Sequence, residues 1–284
     1  MGSGLTKFLI NLPIAGVGLV AFGSMVLASI AGHLVHRIEL ARRHGEQAEQ
    51  ADGQEGYLVS AVLGLLALLL AFTFGLALDR FETRRQLVTQ EANAIGTAYL
   101  RAQLLDDPHR ARLSNLLIAY TDNRIALATS PNSATLAKND RLLADIWTAV
   151  RASRESAAAH GVTTALLQAY NEVIDLDTER KVARRLRVPN EVFVLLFGYT
   201  LLTAAILGYL VERPRGRRAA GALFILIATA ISVITDLNRP ISGNIQESQE
   251  PMRMLQRLLA EQPPQVFDRL NASTGQASRD GLSP

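Results

Sequence analysis

Four stretches of this chain carry almost no charge: Phe8 to Ile30, Tyr57 to Leu78, Val192 to Val211, and Ala219 to Ile234. A helix needs about 20 apolar residues to cross the hydrocarbon of a bilayer, with roughly 17 to 25 tolerated. Each window therefore predicts a transmembrane helix, over 5–35, 57–78, 190–211 and 219–236. The first is too long for a signal-peptide core and lacks a small-residue cleavage site before a hydrophilic mature chain. The fourth is short and ends at Thr235 and Asp236, which leaves room for its end to sit in a polar crevice. Only the seven residues Glu212-Arg213-Pro214-Arg215-Gly216-Arg217-Arg218 separate the third and fourth windows, so these two form an antiparallel hairpin.

Between the second and third windows the apolar spacing becomes that of amphipathic helices. Phe81, Val88, Ile95 and Ala102 recur every seven residues, with Ala92 and Tyr99 four beyond two of them. With no proline from Gly56 to Leu105, the second span is expected to continue as one rod of roughly 70 Å. Asp106-Asp107-Pro108 predicts a stop and a new start, with an aspartate as cap and proline at the first helical position. Three further helices follow, carrying Leu113, Leu116, Leu117, Tyr120 and Leu127, then Leu143, Ile146, Trp147 and Val150, then Leu166, Tyr170, Val173 and Ile174. Residues 79–189 thus read as an extramembrane helical bundle. Residues 237–262 read as a polar turn and an amphipathic helix with Met252, Leu255, Leu258 and Leu259, and 263–284 as a disordered tail. The fold class is an all-α integral membrane protein with four transmembrane helices and an inserted helical domain.

Composition sharpens this. Of 284 residues, 49% are hydrophobic and 19% charged, against about a quarter charged in soluble domains. The absence of cysteine excludes disulfides and thiolate chemistry. A net charge of +3, with arginines beside the apolar windows, fits lipid flanks and gives no case for nucleic acid. No phosphate loop, dinucleotide fingerprint or hydrolase elbow occurs, so neither an enzyme nor a cofactor is expected. His33 and His36 share a helical face, but no further ligand stands nearby; interfacial histidines are the better reading and no metal site is expected. Asp175, Asp177 and Glu179, preceding a basic stretch, read as a solvated helix face, and His160 beside Gly161 as a helix C-terminal residue. The richness in alanine and arginine suggests a GC-rich bacterium, and with the four spans the expected location is the bacterial inner (plasma) membrane. Orientation stays balanced on charge: the two short loops hold Arg37, Arg42, Arg43, Arg213, Arg215, Arg217 and Arg218, while the opposite side has more basic residues near span ends.

In the second span Ser60, Gly64, Ala67 and Ala71 lie on one face, which lets another helix approach closely. A neighbouring face carries Leu65, Leu69 and Phe72. This is either packing alone or, if several copies surround an axis, a hydrophobic neck that gates by dewetting.

Two stretches carry a family resemblance. Leu69-Leu70-Ala71-Phe72, then Asp79-Arg80-Phe81-Glu82-Thr83-Arg84-Arg85 leading to Asn93-Ala94-Ile95, resemble the bestrophin-related membrane proteins, specifically the bacterial bestrophin-like group. After the fourth span, Arg239-Pro240-Ile241-Ser242-Gly243 and Ser248-Gln249-Glu250-Pro251-Met252 are similar to the bestrophin proline-glycine turn and the helix behind it. The resemblance implies a homo-oligomer, as in bestrophin pentamers, that passes anions, with the inserted domain cytoplasmic. It places the neck at Leu65, Leu69 and Phe72, a positive cytoplasmic mouth at Arg80, Arg84 and Arg85, and a structured turn at Asp236, Asn238, Arg239, Pro240 and Gly243. Thr73-Phe74-Gly75-Leu76-Ala77 departs from the polar or basic residues that follow the neck in bestrophins, and the acidic run that clasps calcium in animal channels is missing. The rival expectation is a non-conducting scaffold or sensor whose helical domain binds a partner.

Overall fold

A backbone that leaves water must close its hydrogen bonds within its own segment, and the apolar windows do so as helices. In the computed structural model, which describes residues 12–42, 52–211, 213–240 and 243–268, the regular structure is helical throughout. The helices are α1 (Ile14–Arg42), α2 (Asp52–Ala102), α3 (His109–Thr129), α4 (Ser133–Ala152), α5 (Arg154–Ala159), α6 (Thr163–Arg185), α7 (Asn190–Leu210), α8 (Pro214–Leu237) and α9 (Glu250–Glu261). Four helical stretches, containing α1, α2, α7 and α8, are long and apolar enough to cross a membrane. The chain divides into two compact units, Met1–Glu82 with Leu186–Gln246, and Thr83–Arg185 with Glu247–Pro284.

The first unit packs α1, α7, α8 and the first half of α2. Its principal core joins Val17, Ala21 and Met25 of α1 to Leu66 of α2, Leu196 and Ala204 of α7, and Phe224 and Ile231 of α8. Two glycines bring α1 and α7 together. A Cβ on Gly32 would lie 2.0 Å from the Ala205 carbonyl oxygen, and one on Gly208 would lie 1.9 Å from that of Ser29. Backbone meets backbone here, an approach that small residues alone permit between membrane helices. Near this crossing the His36 ring stands edge-on to Tyr209, their centroids 5.0 Å apart, and the Tyr209 hydroxyl donates to Glu39. His36 is thus engaged with an aromatic ring, and among the described residues no cluster of metal-ligating side chains is assembled. Proline at the start of α8 supplies a fixed φ where no amide donor is needed.

The second unit is a helical bundle built on the second half of α2. Val88, Ala92, Ile95, Tyr99 and Ala102 are buried, as the seven-residue stripe predicts, against Leu113, Leu117 and Tyr120 of α3, Ile146 and Val150 of α4, and Leu166, Tyr170 and Val173 of α6. Met252, Leu255 and Leu259 of α9 close the core, while Leu258 and Trp147 are partly exposed. α4 begins with a reciprocal cap: Asn132 Oδ1 accepts from the Thr135 amide at 2.8 Å, and Thr135 Oγ1 accepts from the Asn132 amide at 3.1 Å.

Four expectations change. No aspartate caps α3; the Asp106 carboxylate instead takes hydrogen bonds from Ser156 Oγ at 2.9 Å and His160 Nε2 at 3.0 Å, and Asp107 pairs with Arg110. His160 therefore has a partner beyond its place at a helix end. Asp177 is buried, not solvated. The tail does not begin at 263, because residues 264–268 are helical, Phe267 packs on the core and Asp268 pairs with Arg110. The remaining tail, 269–284, lies outside the described residues, as does the start of the first expected span.

If the glycine crossing holds the first unit together, Gly208→Ala drives a methyl into backbone and costs about 3 kcal/mol. Gly198→Ala in the same helix, where nothing lies within 4 Å of the added carbon, stays within about 1 kcal/mol of wild type. Thermal unfolding in detergent measures both, and equal behaviour of the two variants would contradict the packing described.

Candidate functional site

The second span turns only a narrow side toward its own unit. Leu66, Thr73 and Ala77 are buried, and the Thr73 hydroxyl is satisfied by the Leu69 carbonyl one turn back, at 2.7 Å. The opposite side has no cover among the described residues. Leu65 is 47% exposed, Leu68 49% and Phe72 64%, and a Cβ on Gly64 or Gly75 would meet nothing within 4 Å. Ser60, Ala67 and Ala71 are exposed beside them. The uncovered residues Ala61, Leu65, Leu68, Phe72 and Gly75 follow alternate spacings of four and three, the seam along which helices pair. Of the expected neck residues, Leu65 and Phe72 lie on this strip. Leu69 sits at its margin, half-buried against the unit's own core. Leu68 was not anticipated; its place three after Leu65 and four before Phe72 was the available signal.

The three arginines beyond the span differ in setting. Arg80 is half-buried, Arg85 exposed and Arg84 buried. Arg84 Nε donates to Glu247 just ahead of α9, so its charge is met within the second unit instead of being offered to solvent.

The turn after α8 is a tightly bonded structure. Asp236 accepts from the Asn244 amide at 2.7 Å and the Ile245 amide at 3.2 Å. Asn238 Oδ1 accepts from the Val188 amide at 2.8 Å, joining the turn to the segment entering α7. Arg239, also buried, donates from Nη1 to the Leu12 carbonyl at 2.7 Å, tying the turn to the residues before α1. Pro240 is buried, and Gly243 packs so closely that a Cβ would stand 2.6 Å from Asp236 Oδ1 and 2.9 Å from the Asp236 carbonyl. Glycine is required there by space. Ile241 and Ser242 lie outside the described residues.

A second polar assembly, within the helical domain, escaped the sequence. Glu91 of α2 accepts from Tyr120 Oη at 2.7 Å, from Arg124 Nη2 at 3.0 Å and from Arg180 Nη1. Arg124 also donates to Asp177 at 2.9 Å, which Asn139 Nδ2 reaches at 3.0 Å and Lys181 at 2.7 Å. Burial alone would raise the Glu91 carboxyl, but the guanidinium groups of Arg124 and Arg180 and the Tyr120 hydrogen bond outweigh it and hold it below the ordinary glutamate value. Burial, with Glu91 alongside, pushes the Tyr120 phenol well up. Arg184, crowded by burial and then by Arg180 and Arg124, is lowered to about 10. The network joins α2, α3, α4 and α6, and its charged members have partners, as charge removed from water requires.

The family model for the Bestrophin-like domain matches residues 23–252. Two crystal structures of a bacterial bestrophin homologue from Klebsiella pneumoniae, each carrying one point mutation, share the fold. One is 17% identical, covers 86% of this chain and 97% of its own, and gives a TM-score of 0.59. The other is 15% identical, covers 88% and 98%, and gives 0.63. No curated protein matches.

Because Glu91 has a depressed value when folded, its contribution to stability is complete above the unfolded glutamate value, near pH 4.3, and is lost as pH falls through the folded value. Glu91→Gln takes the carboxylate from buried Arg180 and leaves buried Arg124 with the Asp177 carboxylate alone, and is expected to cost about 3 to 5 kcal/mol at neutral pH. It should also flatten the acid dependence of unfolding below about pH 4.3. Melting curves from pH 7 to 3 test both; a neutral-pH stability equal to wild type would show that the network contributes nothing.

Proposed function

The chain belongs to the bestrophin-like family, and from that premise we propose that it is a homo-oligomeric membrane channel that passes anions along a path lined by the second span. One observation carries this reading. A 51-residue helix, apolar through its first half, leaves the strip Ala61, Leu65, Leu68, Phe72 and Gly75 without cover from the described residues of its own chain. Lipid can satisfy an apolar strip, but it gives no reason for the small residues Ala61 and Gly75 at a seam spacing; a second copy of the same helix does. Several copies around an axis would put Leu65, Leu68 and Phe72 at a constriction of apolar side chains, a geometry that gates by excluding water.

Anion preference rests on Arg80 and Arg85, which are not buried. Repeated around a ring, they raise the local anion concentration by an attraction that weakens with salt. Arg84 has no part in this, since it is buried against Glu247. Membership of the family supports placing the helical domain on the cytoplasmic side of the bacterial inner membrane.

Planar-bilayer recording from the purified full chain tests the proposal. Anion-selective current is expected. Phe72→Ala should raise conductance or open probability, and Arg80→Gln with Arg85→Gln should reduce anion over cation preference most strongly at low salt. Absence of current, or cation selectivity in the wild type, would overturn the channel reading and leave the scaffold or sensor in its place.

A further inference from the structure

A cavity of about 220 Å³ opens in the first unit between α1, α7 and α8. Its lining mixes apolar and cationic groups. The buried side chains of Leu207 and Phe224 line it with Ile30 and Leu34, each 51% exposed. Beside them stand His33, whose Nδ1 is buried with no hydrogen-bond partner among the described residues, and Arg217 in the first turn of α8. That 24-residue helix begins without a side-chain cap, and the positive end of its dipole lies within a turn of Arg217. Residues 212–218, which run from the end of α7 into the first turns of α8, contain four arginines, Arg213, Arg215, Arg217 and Arg218, against the single acid Glu212. The apolar wall suits an acyl chain, and the cationic groups match a phosphate of opposite charge.

We propose that this cavity binds one anionic phospholipid per subunit, with its phosphate against Arg217 and His33 and an acyl chain along Ile30, Leu34 and Phe224. The proposal rests on α1, α7 and α8 crossing a bilayer and is independent of conduction. It makes the first turn of α8 a lipid-recognition element, which accounts for Arg217 in the lining of a largely apolar cavity.

Purified full-length protein, delipidated in detergent, would be titrated with phosphatidylglycerol and with phosphatidylcholine, and bound lipid counted by native mass spectrometry. The expected result is one tightly held phosphatidylglycerol, preferred over phosphatidylcholine by about fivefold for each arginine engaged. Arg217→Gln should remove about that factor of preference. Gly221→Leu fills the cavity from a position where an added Cβ meets nothing within 4 Å, and should weaken both lipids while the oligomer still elutes as wild type. Equal retention of the two lipids, an unchanged preference in Arg217→Gln, or the same stabilisation from inorganic phosphate alone would overturn the proposal. Protein that stays monodisperse without detergent would instead overturn the bilayer premise on which it rests.

Discussion

No backbone N–H or C=O can be left unpaired in hydrocarbon, and most of this molecule follows from that rule. It makes each long apolar window a helix and governs the polar side chains inside them. Thr73 bonds to the Leu69 carbonyl, Thr200 to Leu196, Thr203 to Tyr199, Ser232 to Ala228 and Thr235 to Ile231, each one turn back in its own helix. With polarity satisfied locally, association between these helices falls to shape. Gly32 and Gly208 provide it by letting α1 and α7 meet backbone to backbone.

The same rule explains what was legible before the fold was known. Long uncharged windows and seven-residue stripes are local signals, and Val88, Ile95, Tyr99, Leu113, Leu117 and Val173 lie buried where their spacing placed them. The Glu91 assembly was not legible because its parts are far apart in the chain. Glu91 meets Arg124 and Arg180 across 33 and 89 positions, and no periodicity links them. Asp177 stands two residues from both Asp175 and Glu179, on the opposite side of the helix from them, and the fold shows that it turns inward to Arg124. Asp106 was misjudged for a similar reason: a capping motif is read from neighbours, and its partners Ser156 and His160 lie some fifty residues away.

At the candidate site, two of the three neck residues expected from the sequence stand on the exposed strip of α2. Leu65 and Phe72 are uncovered, whereas Leu69 leans on the core and Leu68 takes its place on the strip. A one-residue difference in heading around a helix is about 100°, and an apolar run such as Leu65-Leu66-Ala67-Leu68-Leu69-Leu70 gives no polar position to fix it. Arg84 shows the same limit: three arginines looked equivalent until Glu247 was brought beside one of them. The turn after α8, by contrast, was legible as a motif, because Asp236 and Gly243 are chosen by close packing within a few residues.

The central claim is that the uncovered strip of α2 meets the same strip of other copies. The chain contains no cysteine, so single cysteines report cleanly on proximity. A single cysteine placed at Leu65, Leu68 or Phe72 in native membranes and treated with a short bismaleimide should give a cross-linked dimer, the largest product one thiol per subunit allows. Cysteine at Leu66, buried in its own unit, or at Ile225, exposed on α8, should not. Monomer alone from all three strip positions, or equal dimer yields from Leu66 and Ile225, would contradict the account.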